Sequence, residues 1–539
     1  MADQVSNFYI YVGGNPLPSD YAAQLHSLTV ESSLNLPSVA EFTLLDNSLK
    51  FIDDAELLVP GKTLEIYAGE NKKSKIFDGE IVELEPNFES PHKYCVVRGF
   101  DRLHWLMRGR FTRVFLGDSD SAIATKIISE LNGLKAVVQS TNPTHEYALQ
   151  DNETKLAFLQ RRASALGFVI YADGKDIHFK PPNARSEVEM EWGAGGLSSF
   201  RPRLTTLGQP TEVTVRAFDP STGKAVIGKA TAGKGQPEVG ESKDRIAMTQ
   251  GGAAPTTIPE VLPSAVRDTA DAMQKQVDNM ALGEANRRSS EYIQAEGVCG
   301  GNPQVIAGTK IKISKIGKRF GGSYIVSSAT HVFDAQKQYS THFSVTGMHA
   351  QTLQHLLGHE PAPRYGLTVG IVDETDDKDG KVCRVKVLYP GLDDKVKSNW
   401  ARVVSAGAGK NRGIEFQPEA GDEVLIGFEH GDPHLPYVLG GLWSDKNEPP
   451  ERNPSLVASG KVKRRLIRSR TGHTITLDDS DSSLGITVDD GKGGKIHIDT
   501  KNKTMTLEAP EGIEIKSKKI TINGSSSVLI DGGAIEIGR

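Results

Sequence analysis

Residues 471–539 carry the pattern that most restricts what this chain can form. Apolar residues occur there in eight pairs, and the two members of each pair are two positions apart, on one face of a β-strand. The first members are spaced 11, 10, 9, 8, 7, 8 and 7 residues apart. A chain folding alone would expose them as a continuous apolar ribbon, which soluble monomers avoid. The pairs are Ile475 and Leu477, Ile486 and Val488, Ile496 and Ile498, Met505 and Leu507, Ile513 and Ile515, Ile520 and Ile522, Val528 and Ile530, and Ile535 and Ile537.

Three copies of such a segment can bury the whole ribbon by winding into a triangular prism. With eight strands on each face and a strand spacing of about 4.8 Å, the shaft would be roughly 40 Å long. Outward positions such as Lys516, Lys518, Lys519 and Glu536 would remain in water. We therefore predict an intertwined trimeric β-helix needle at residues 471–539. A single-chain β-solenoid cap is the alternative, and it needs a longer regular coil.

A second feature, at residues 417–443, predicts a β-hairpin. Two apolar runs, residues 423–428 and 435–442, are separated by a turn at residues 430–434 that contains Gly431, Asp432 and Pro433. A turn from residues 419–422 leads into the first run. No cluster of titratable residues occurs here, so the hairpin is predicted to be architectural.

This hairpin resembles the core of the VgrG family of contractile injection spikes, which carries a pattern like P-x-x-G-D-E-V-x-V-x-F-x-x-G-D-P-x-x-P-x-x-x-G. The matching residues are Pro418, Gly421, Asp422, Glu423, Val424, Phe428, Gly431, Asp432, Pro433, Pro436 and Gly440. The resemblance implies an OB-fold barrel at residues 365–445, and about five strands in roughly 80 residues fit that size. Because carboxylates surround its aromatic residues, we predict no nucleic-acid binding.

The first 360 residues predict mostly strands and three helices. The helices are expected at residues 119–131, 153–166 and 264–296. Ser119 or Asp120 can cap the first and Ser264 the third, and Gly167 ends the second. Residues 219–263 are rich in Gly, Ala, Thr and Lys, and we expect a long, partly flexible excursion. Strands are expected at residues 8–12, 27–30, 41–45, 63–68, 75–85, 93–100, 168–171, 176–179, 187–215, 310–314, 322–329 and 339–346.

Five segments of this half resemble the hub domain shared with phage tails: residues 99–103, 158–168, 214–220, 308–310 and 322–326. The resemblance implies two related β-barrels per chain, so that three chains form a ring of pseudo-sixfold symmetry that mates with a hexameric tube. The predicted fold is mainly β with a few helices. Its parts are a tail-hub-like domain at residues 1–360, the OB-fold barrel at 365–445, a neck linker at 446–470 and the needle at 471–539.

The composition argues against several classes of function and predicts none by itself. The chain of 539 residues is 37% hydrophobic with a net charge of -5, which argues against a general affinity for nucleic acids or anionic membranes. Three widely spaced cysteines, Cys95, Cys299 and Cys383, predict neither a disulfide framework nor a metal site. The first residues lack a signal-peptide pattern, so we expect synthesis in the cytoplasm.

Four other segments are weighed as binding sites. His349, His355 and His359 with Glu360 include an i, i+4 pair suited to zinc, but the HExxH pattern is absent. Residues 61–63 imitate the end of a phosphate-binding loop without its first glycine, and the acidic loop at 373–379 lacks calcium-loop spacing. The basic run at 461–470 fits a solvated neck better than a nucleic-acid site. We predict no metal and no cofactor.

The resemblance implies a homotrimeric central spike and hub of a contractile injection particle. It is most similar to the central spike of extracellular particles, such as the Photorhabdus virulence cassettes and the antifeeding prophage, and resembles that spike at least as much as a type VI secretion VgrG. The implied partners are the inner tube protein, baseplate proteins, a PAAR-type tip protein, effector cargo and the target cell envelope. The tip protein is expected to contact Ala534, Ile535, Glu536, Ile537, Gly538 and Arg539.

Two alternatives remain open. One is a spike with muralytic activity, as in phage spikes that carry a cell-wall hydrolase between barrel and shaft. That segment here is only residues 444–470, whereas a hydrolase core needs on the order of 100 residues. No G-x-S-x-G motif occurs, so we predict that the chain is not an enzyme. The other alternative is a trimeric receptor-binding fibre, for which a distal aromatic-rich recognition domain is expected.

Overall fold

The computed structural model describes residues 8–69, 74–145, 148–193, 196–206, 209–219, 224–231, 237–240, 256–259, 270–334, 338–348, 366–378, 383–391, 395, 397–429, 435–452 and 456–536. The chain divides into two compact units, Met1–Lys446 and Asn447–Arg539. Within the described ranges, no helix is long and apolar enough to span a membrane.

Few helices occur among the many strands, so the predicted mainly β fold is confirmed. The α-helices are α1 (Ser19–Ala22), α2 (Asp120–Ser129), α3 (Lys155–Leu166) and α4 (Ala270–Ser290), and a 3₁₀ helix spans Arg102–Met107. The first unit contains β1 (Phe8–Val12), β2 (Asn15–Pro16), β3 (Leu25–Ser33), β4 (Val39–Leu45), β5 (Thr63–Ala68), β6 (Ser74–Glu89), β7 (His92–Asp101), β8 (Phe111–Phe115), β9 (Asp118–Ser119), β10 (Lys135–Val138), β11 (Thr144–His145), β12 (Ala148–Glu153), β13 (Val169–Asp173), β14 (Asp176–Lys180), β15 (Glu187–Trp192), β16 (Gly196–Leu204), β17 (Val213–Asp219), β18 (Lys224–Ala230), β19 (Glu238–Val239), β20 (Thr256–Pro259), β21 (Ile293–Gly300), β22 (Lys310–Ser314), β23 (Gly322–Ile325), β24 (Ser328–Asp334), β25 (Gln338–Val345), β26 (Leu367–Glu374), β27 (Lys386–Leu388), β28 (Arg402–Val403), β29 (Ala408–Gly409), β30 (Arg412–Gly413), β31 (Glu423–Phe428) and β32 (Pro436–Gly441).

One 15-stranded sheet forms the hub half of this unit, in the order β19-β23-β22-β15-β16-β21-β25-β24-β3-β4-β7-β6-β5-β1-β2. Its two halves enclose separate apolar cores, one around Phe42 and Leu64 and the other around Ile311 and Phe343. The halves are joined where β24 pairs antiparallel with β3. The two related barrels expected for the hub stay a prediction: in the described residues, one continuous sheet encloses two separate apolar cores.

A third core lies between α2, α3 and the small sheet β10-β14-β13. The cap predicted at Ser119 is present, since its hydroxyl accepts from the Ala122 N–H. The Thr154 hydroxyl, which was not predicted as a cap, accepts from the Ala157 N–H. Helix α3 ends at Gly167, whose φ of 65° is the left-handed conformation that glycine adopts without steric cost. These two helices are confirmed close to their predicted bounds.

Three predictions in this unit are wrong in detail. The helix expected to reach residue 296 ends at Ser290, because the following residues pair with β16 and β25 as β21. The excursion expected at 219–263 contains β18 and β20, which flank β17, and β18 also packs against α4. The single strand expected at 322–329 is two strands, separated where the Ser327 hydroxyl bonds to the Ser344 carbonyl. In each case pairing with distant strands overrides local composition.

Strands β26, β27, β28, β31 and β32 form the small barrel, in the order β27-β26-β31-β32-β28. Bridges from Val385 to Ala401 and from Leu388 to Lys397 connect the two ends of this order. Its interior is filled by a compact apolar set: Val372, Val385, Val387, Tyr389, Ala401, Val424, Ile426 and Val438. The barrel has the five strands expected of an OB fold.

The second unit contains one hairpin and one five-stranded sheet. Its strands are β33 (Val457–Ala458), β34 (Lys461–Val462), β35 (Arg464–Arg468), β36 (Thr474–Asp478), β37 (Gly485–Asp489), β38 (Lys495–Asp499) and β39 (Thr504–Glu508). Strands β35 to β39 follow one another as an antiparallel meander. Strand β35 lies within the stretch assigned to the neck linker, so part of that stretch belongs to the sheet.

Candidate functional site

The meander sheet aligns its apolar residues in two rows across the strands. In one row Ile467, Ile475, Val488, Ile496 and Leu507 are opposite one another, and in the other Leu477, Ile486, Ile498 and Met505 continue from Arg465. Since opposite residues in a sheet point to the same side, all nine apolar side chains share one face. We call it the apolar face.

The apolar face has no cover within the described part of the chain. Its side chains from β36 to β39 are between 37% and 62% exposed, from Ile498 to Met505. Neighbouring Thr476 and Thr487 on the other side are less open than the apolar residues beside them. A continuous exposed apolar patch of this kind marks an interaction surface.

The opposite face of the sheet is polar. Thr487 and His497 are opposite one another, with 2.9 Å between the Oγ1 and Nδ1 atoms. Asp489 is opposite Lys495, which is opposite Glu508, so charges of alternating sign follow one another across the strands. This face is suited to water, and the sheet is therefore amphipathic.

The four later pairs differ from the first four. Ile513, Ile515, Ile520, Ile522, Val528, Ile530 and Ile535 lie in described residues that form no strand within the chain, and they are 49% to 66% exposed. Ile537 lies outside the described residues. For the four later pairs, the prediction of strands in an intertwined trimer therefore stays a prediction. The sequence indicated this difference between the earlier and later pairs, because the interval between successive pairs decreases from 9–11 to 7–8 residues where the meander ends.

Ile467 is a member of the apolar face that the sequence pattern missed. It lies in the basic run at 461–470, where the many charged residues obscure the alternation of apolar and polar residues that is typical of a strand. Two of the basic residues meet carboxylates in the second unit: Arg464 is 3.1 Å from Glu451, and Arg465 pairs with Asp479. The run is accounted for by a strand and its ion pairs.

The hairpin motif in the barrel is held by backbone bonds. Gly421 has a φ of 95°, and its N–H donates to the Val372 carbonyl over 2.8 Å. The Asp422 carboxylate accepts from the Glu419 N–H, which closes the turn before β31. Pro436 begins β32, and Gly440 is opposite Leu425 beside a bulge. Pro418 precedes the turn, and Gly431, Asp432 and Pro433 lie outside the described residues.

Glu423 is the one buried acid of that motif in the described residues. Its side chain is 4% exposed, and burial raises its pKa, which a hydrogen bond with Ser444 and the charge of Lys446 oppose. It begins β31 and is opposite Ile371. A single carboxyl group in this position orders the strand and offers no pair for acid–base catalysis.

Of the other segments weighed as binding sites, those that the structure describes show no ligand geometry. His349, His355, His359 and Glu360 lie outside the described residues. In the turn at residues 61–63, the N–H groups of Gly61 and Lys62 already donate to the Ile81 and Val59 carbonyls, so they cannot cradle a phosphate. The described residues contain no group of three His, Cys, Asp or Glu side chains able to hold a metal ion.

The acidic loop at 373–379 is neutralised by nearby cations where it is described. Asp377 pairs with Arg384, with 2.8 Å between Oδ2 and Nε. Lys397 is 2.6 Å from Asp373 and 2.7 Å from Glu374. The loop is thus engaged in ion pairs within the barrel.

Comparison with known proteins places these features in families. A family model described as the Alg8 N-terminal domain matches residues 2–334. A second, described as the type VI secretion system/phage-baseplate injector OB domain, matches residues 368–443. The second match includes the barrel predicted from the hairpin motif, and the OB fold is confirmed.

Curated relatives are spike proteins of Pseudomonas aeruginosa. The type VI secretion system spike protein VgrG2a is 26% identical over 134 residues, which is 24% of this chain and 15% of that protein. VgrG5 is 35% identical over 130 residues, 22% of this chain and 16% of that protein. The alignments therefore span less than a fifth of those relatives. The predicted resemblance to the VgrG and phage-tail hub-and-spike family is confirmed.

Solved structures of similar fold include a phage tail protein. The 43 kDa tail protein of prophage MuSo2 from Shewanella oneidensis is 15% identical in sequence. The alignment has a TM-score of 0.46 and covers 63% of this chain and 98% of that chain.

Proposed function

The chain belongs to the family described as the Alg8 N-terminal domain, and on that premise we propose that it is the structural central spike and hub of a contractile injection particle. The observation that carries this proposal is the apolar face of the meander sheet. A barrel of the baseplate injector type precedes that sheet in the chain, and the relatives matched in sequence are named spike proteins.

Three copies of the chain bury the apolar face in the most economical way. Three meander sheets, one from each chain, form the walls of a prism and turn their apolar rows toward a common axis. Completing the burial of each half-exposed side chain contributes on the order of 1 kcal/mol, so the rows together outweigh the cost of association. The polar faces with Thr487 and His497 remain outside in water.

The four later pairs fit a second part of the same shaft. Those of their residues that the structure describes have no strand partner within the chain, and intertwining with the other two copies would supply one. Backbone hydrogen bonds between chains then continue along the axis to residues 534–539, where a PAAR-type tip protein would cover the terminal strand edges. Such a shaft resists axial load because its backbone groups are paired.

The remaining partners follow from the place of a spike in a particle. The hub sheet would seat the first ring of the inner tube and the baseplate, and the needle would point at the target cell envelope. Effector cargo would travel with the spike. We place the chain in an extracellular phage-tail-like particle, to which the sequence resemblance gives most weight.

We assign no enzymatic activity to the chain. The matched relatives are named for a structural role, and the buried acid of the barrel motif, Glu423, is single. A zymogram on peptidoglycan tests this directly. A cleared band with the purified chain would support the muralytic alternative.

The proposed function is tested in a cell that encodes the chain, by sedimenting its injection particles and counting subunits by quantitative mass spectrometry. Three copies per particle are expected with the full chain. Deleting residues 447–539 is expected to leave particles without envelope-puncturing activity. A full-length chain that stays in the supernatant while complete particles sediment would contradict the proposal.

A further inference from the structure

Residues 404–417 leave the small barrel as an arm that ends in a short hairpin. The arm follows β28 and contains β29 and β30, which pair through Ala408 and Gly413. Its return is fixed to the barrel, because the Gln417 side-chain amide donates to the Cys383 carbonyl over 3.0 Å. The arm is therefore a defined projection with an anchored base.

The arm encloses an open cavity of about 690 Å³. Its apolar lining is provided by Val404, Ile414 and Phe416, which are 51%, 52% and 66% exposed. Arg412 and Cys383 also line it. This volume lies within the range of about 300–1,000 Å³ at which protein pockets bury a bulky group.

The arm carries more positive than negative charge, from Arg412 in the cavity lining and Lys410 nearby in the chain. Among the described residues, neither Lys410 nor Arg412 forms an ion pair, whereas Glu415 accepts a hydrogen bond from the Cys383 thiol over 3.4 Å. An occupant with an aromatic ring and a nearby carboxylate would satisfy both the apolar lining and the arginine.

The same barrel presents such a group elsewhere. Trp443 follows β32 by two residues and is 70% exposed, and it does not line the cavity of its own chain. Its side chain makes no ring contact among the described residues. Asp445, two positions further on, is also exposed and forms no ion pair there. Trp443 and Asp445 thus supply the aromatic ring and the carboxylate that would fit the cavity.

We infer that Trp443 of one chain inserts into the arm cavity of the next chain, with Asp445 facing Lys410 and Arg412. The inference rests on the trimer of the proposed function and adds a specific contact to it. The contact is heterologous, since the tryptophan and the cavity are different surfaces, and three such contacts close a ring. Tryptophan in an enclosing pocket is the usual anchor of a protein interface.

The cavity offers a direct test, because Cys383 lines it and is exposed while Cys95 and Cys299 are buried. Trp443→Cys in the full chain places a second thiol where the indole enters. Under mild oxidation we expect covalent dimers and covalent trimers on a non-reducing gel, since disulfides form only between Cα atoms closer than about 7 Å. The matched control is Trp192→Cys, an exposed tryptophan of the hub, which is expected to give monomer bands.

A second measurement tests the aromatic contact itself. The hydrogen bond with Glu415 raises the pKa of the Cys383 thiol, so labelling with a maleimide is done at about pH 8.5. We expect the labelling rate of Cys383 to rise about tenfold in Trp443→Ala, because the anchor that covers the cavity is lost. Cys383→Ser identifies the labelled thiol.

The outcomes separate this inference from the proposed function. A trimer by light scattering with no Trp443→Cys cross-link and unchanged labelling would overturn the inference and leave the trimer in place. A cross-link within one chain, seen as a monomer band that keeps only the two thiols of Cys95 and Cys299, would also overturn it. A monomeric full chain would overturn both.

Discussion

The guanidinium of Arg216 on β17 donates through Nε to the carbonyl oxygen of Pro390, over 2.7 Å and 174 positions along the chain. Arg216 is buried, at 7% exposure. The bond joins the three-stranded sheet β18-β17-β20 to the turn that follows β27 of the small barrel. It is a direct link between the hub half and the barrel of the first unit.

Replacing that arginine should weaken the first unit. Arg216→Leu removes a charged hydrogen bond from a buried site and leaves the Pro390 carbonyl without this donor, at a cost of about 1.5–3 kcal/mol. Urea unfolding of the full chain measures the loss. Arg201→Leu, at an exposed position of β16, should change the unfolding free energy by less than about 0.5 kcal/mol. Equal effects of the two variants would contradict the structural role of Arg216.

His331 predicts a specific acid sensitivity. It lies on β24 with its Nδ1 2.8 Å from the Tyr339 hydroxyl, and burial lowers its pKa from 6.5 to about 4. In the unfolded chain this histidine is protonated below about pH 6.5, whereas in the folded chain it is protonated only below about pH 4. Stability therefore falls as the pH drops through this window, by roughly 3 kcal/mol from this group.

The variant His331→Gln tests that sign. The difference in unfolding free energy between pH 6.5 and pH 4 should shrink by most of that amount, whatever the variant does to stability at neutral pH. His26→Gln, at an exposed position of β3, should keep the wild-type difference. An unchanged difference in His331→Gln would show that the histidine does not titrate as expected.

Gly283 in α4 should not tolerate alanine. In a helix, alanine is normally favoured over glycine by about 1 kcal/mol. Here a Cβ atom would lie 2.7 Å from the Gly167 nitrogen and 2.8 Å from the Ala165 carbonyl, and backbone atoms cannot give way easily. We expect Gly283→Ala to lower the thermal midpoint, and Lys275→Ala on the exposed side of α4 to leave it unchanged. A higher midpoint in Gly283→Ala would contradict the close packing of α3 and α4.

The two faces of the meander sheet should respond oppositely to the same substitution. Ile486 lies in an apolar row and Thr487 on the polar face. Ile486→Lys would bury a charge at the axis, so the urea concentration at which the assembly dissociates should fall sharply. Thr487→Lys should leave it nearly unchanged. Sensitivity of both positions to the same degree would rule out burial of the apolar face.

The extent to which the fold could be predicted from the sequence differs between regions of the chain. The alternation in the hub strands, the cap at Ser119 and the barrel hairpin are local signals, and they predicted these elements well. The strands β18 and β20 were missed because they exist through pairing with β17, and β21 was taken for helix because residues before it are rich in helix formers. Such errors follow from contacts between distant residues, which local composition does not encode.

The candidate site was predictable in its residues but not in its organisation. The two-residue spacing identified all the apolar pairs, and the structure aligns the first four into rows. It did not reveal Ile467, whose strand lies in a basic run. The change after β39 was indicated only by the shorter intervals between successive pairs. The arm cavity left no sequence signal, because it depends on how residues 404–417 fold back on the barrel.

The central claim is that three copies of the chain form one spike, and its most direct test is the absolute mass of the purified chain by light scattering. The account predicts a mass three times the chain's 58.3 kDa, and lower resistance to dissociation when residues 447–539 are removed. A monomeric mass for the full chain, with the C-terminal unit folded, would contradict the account.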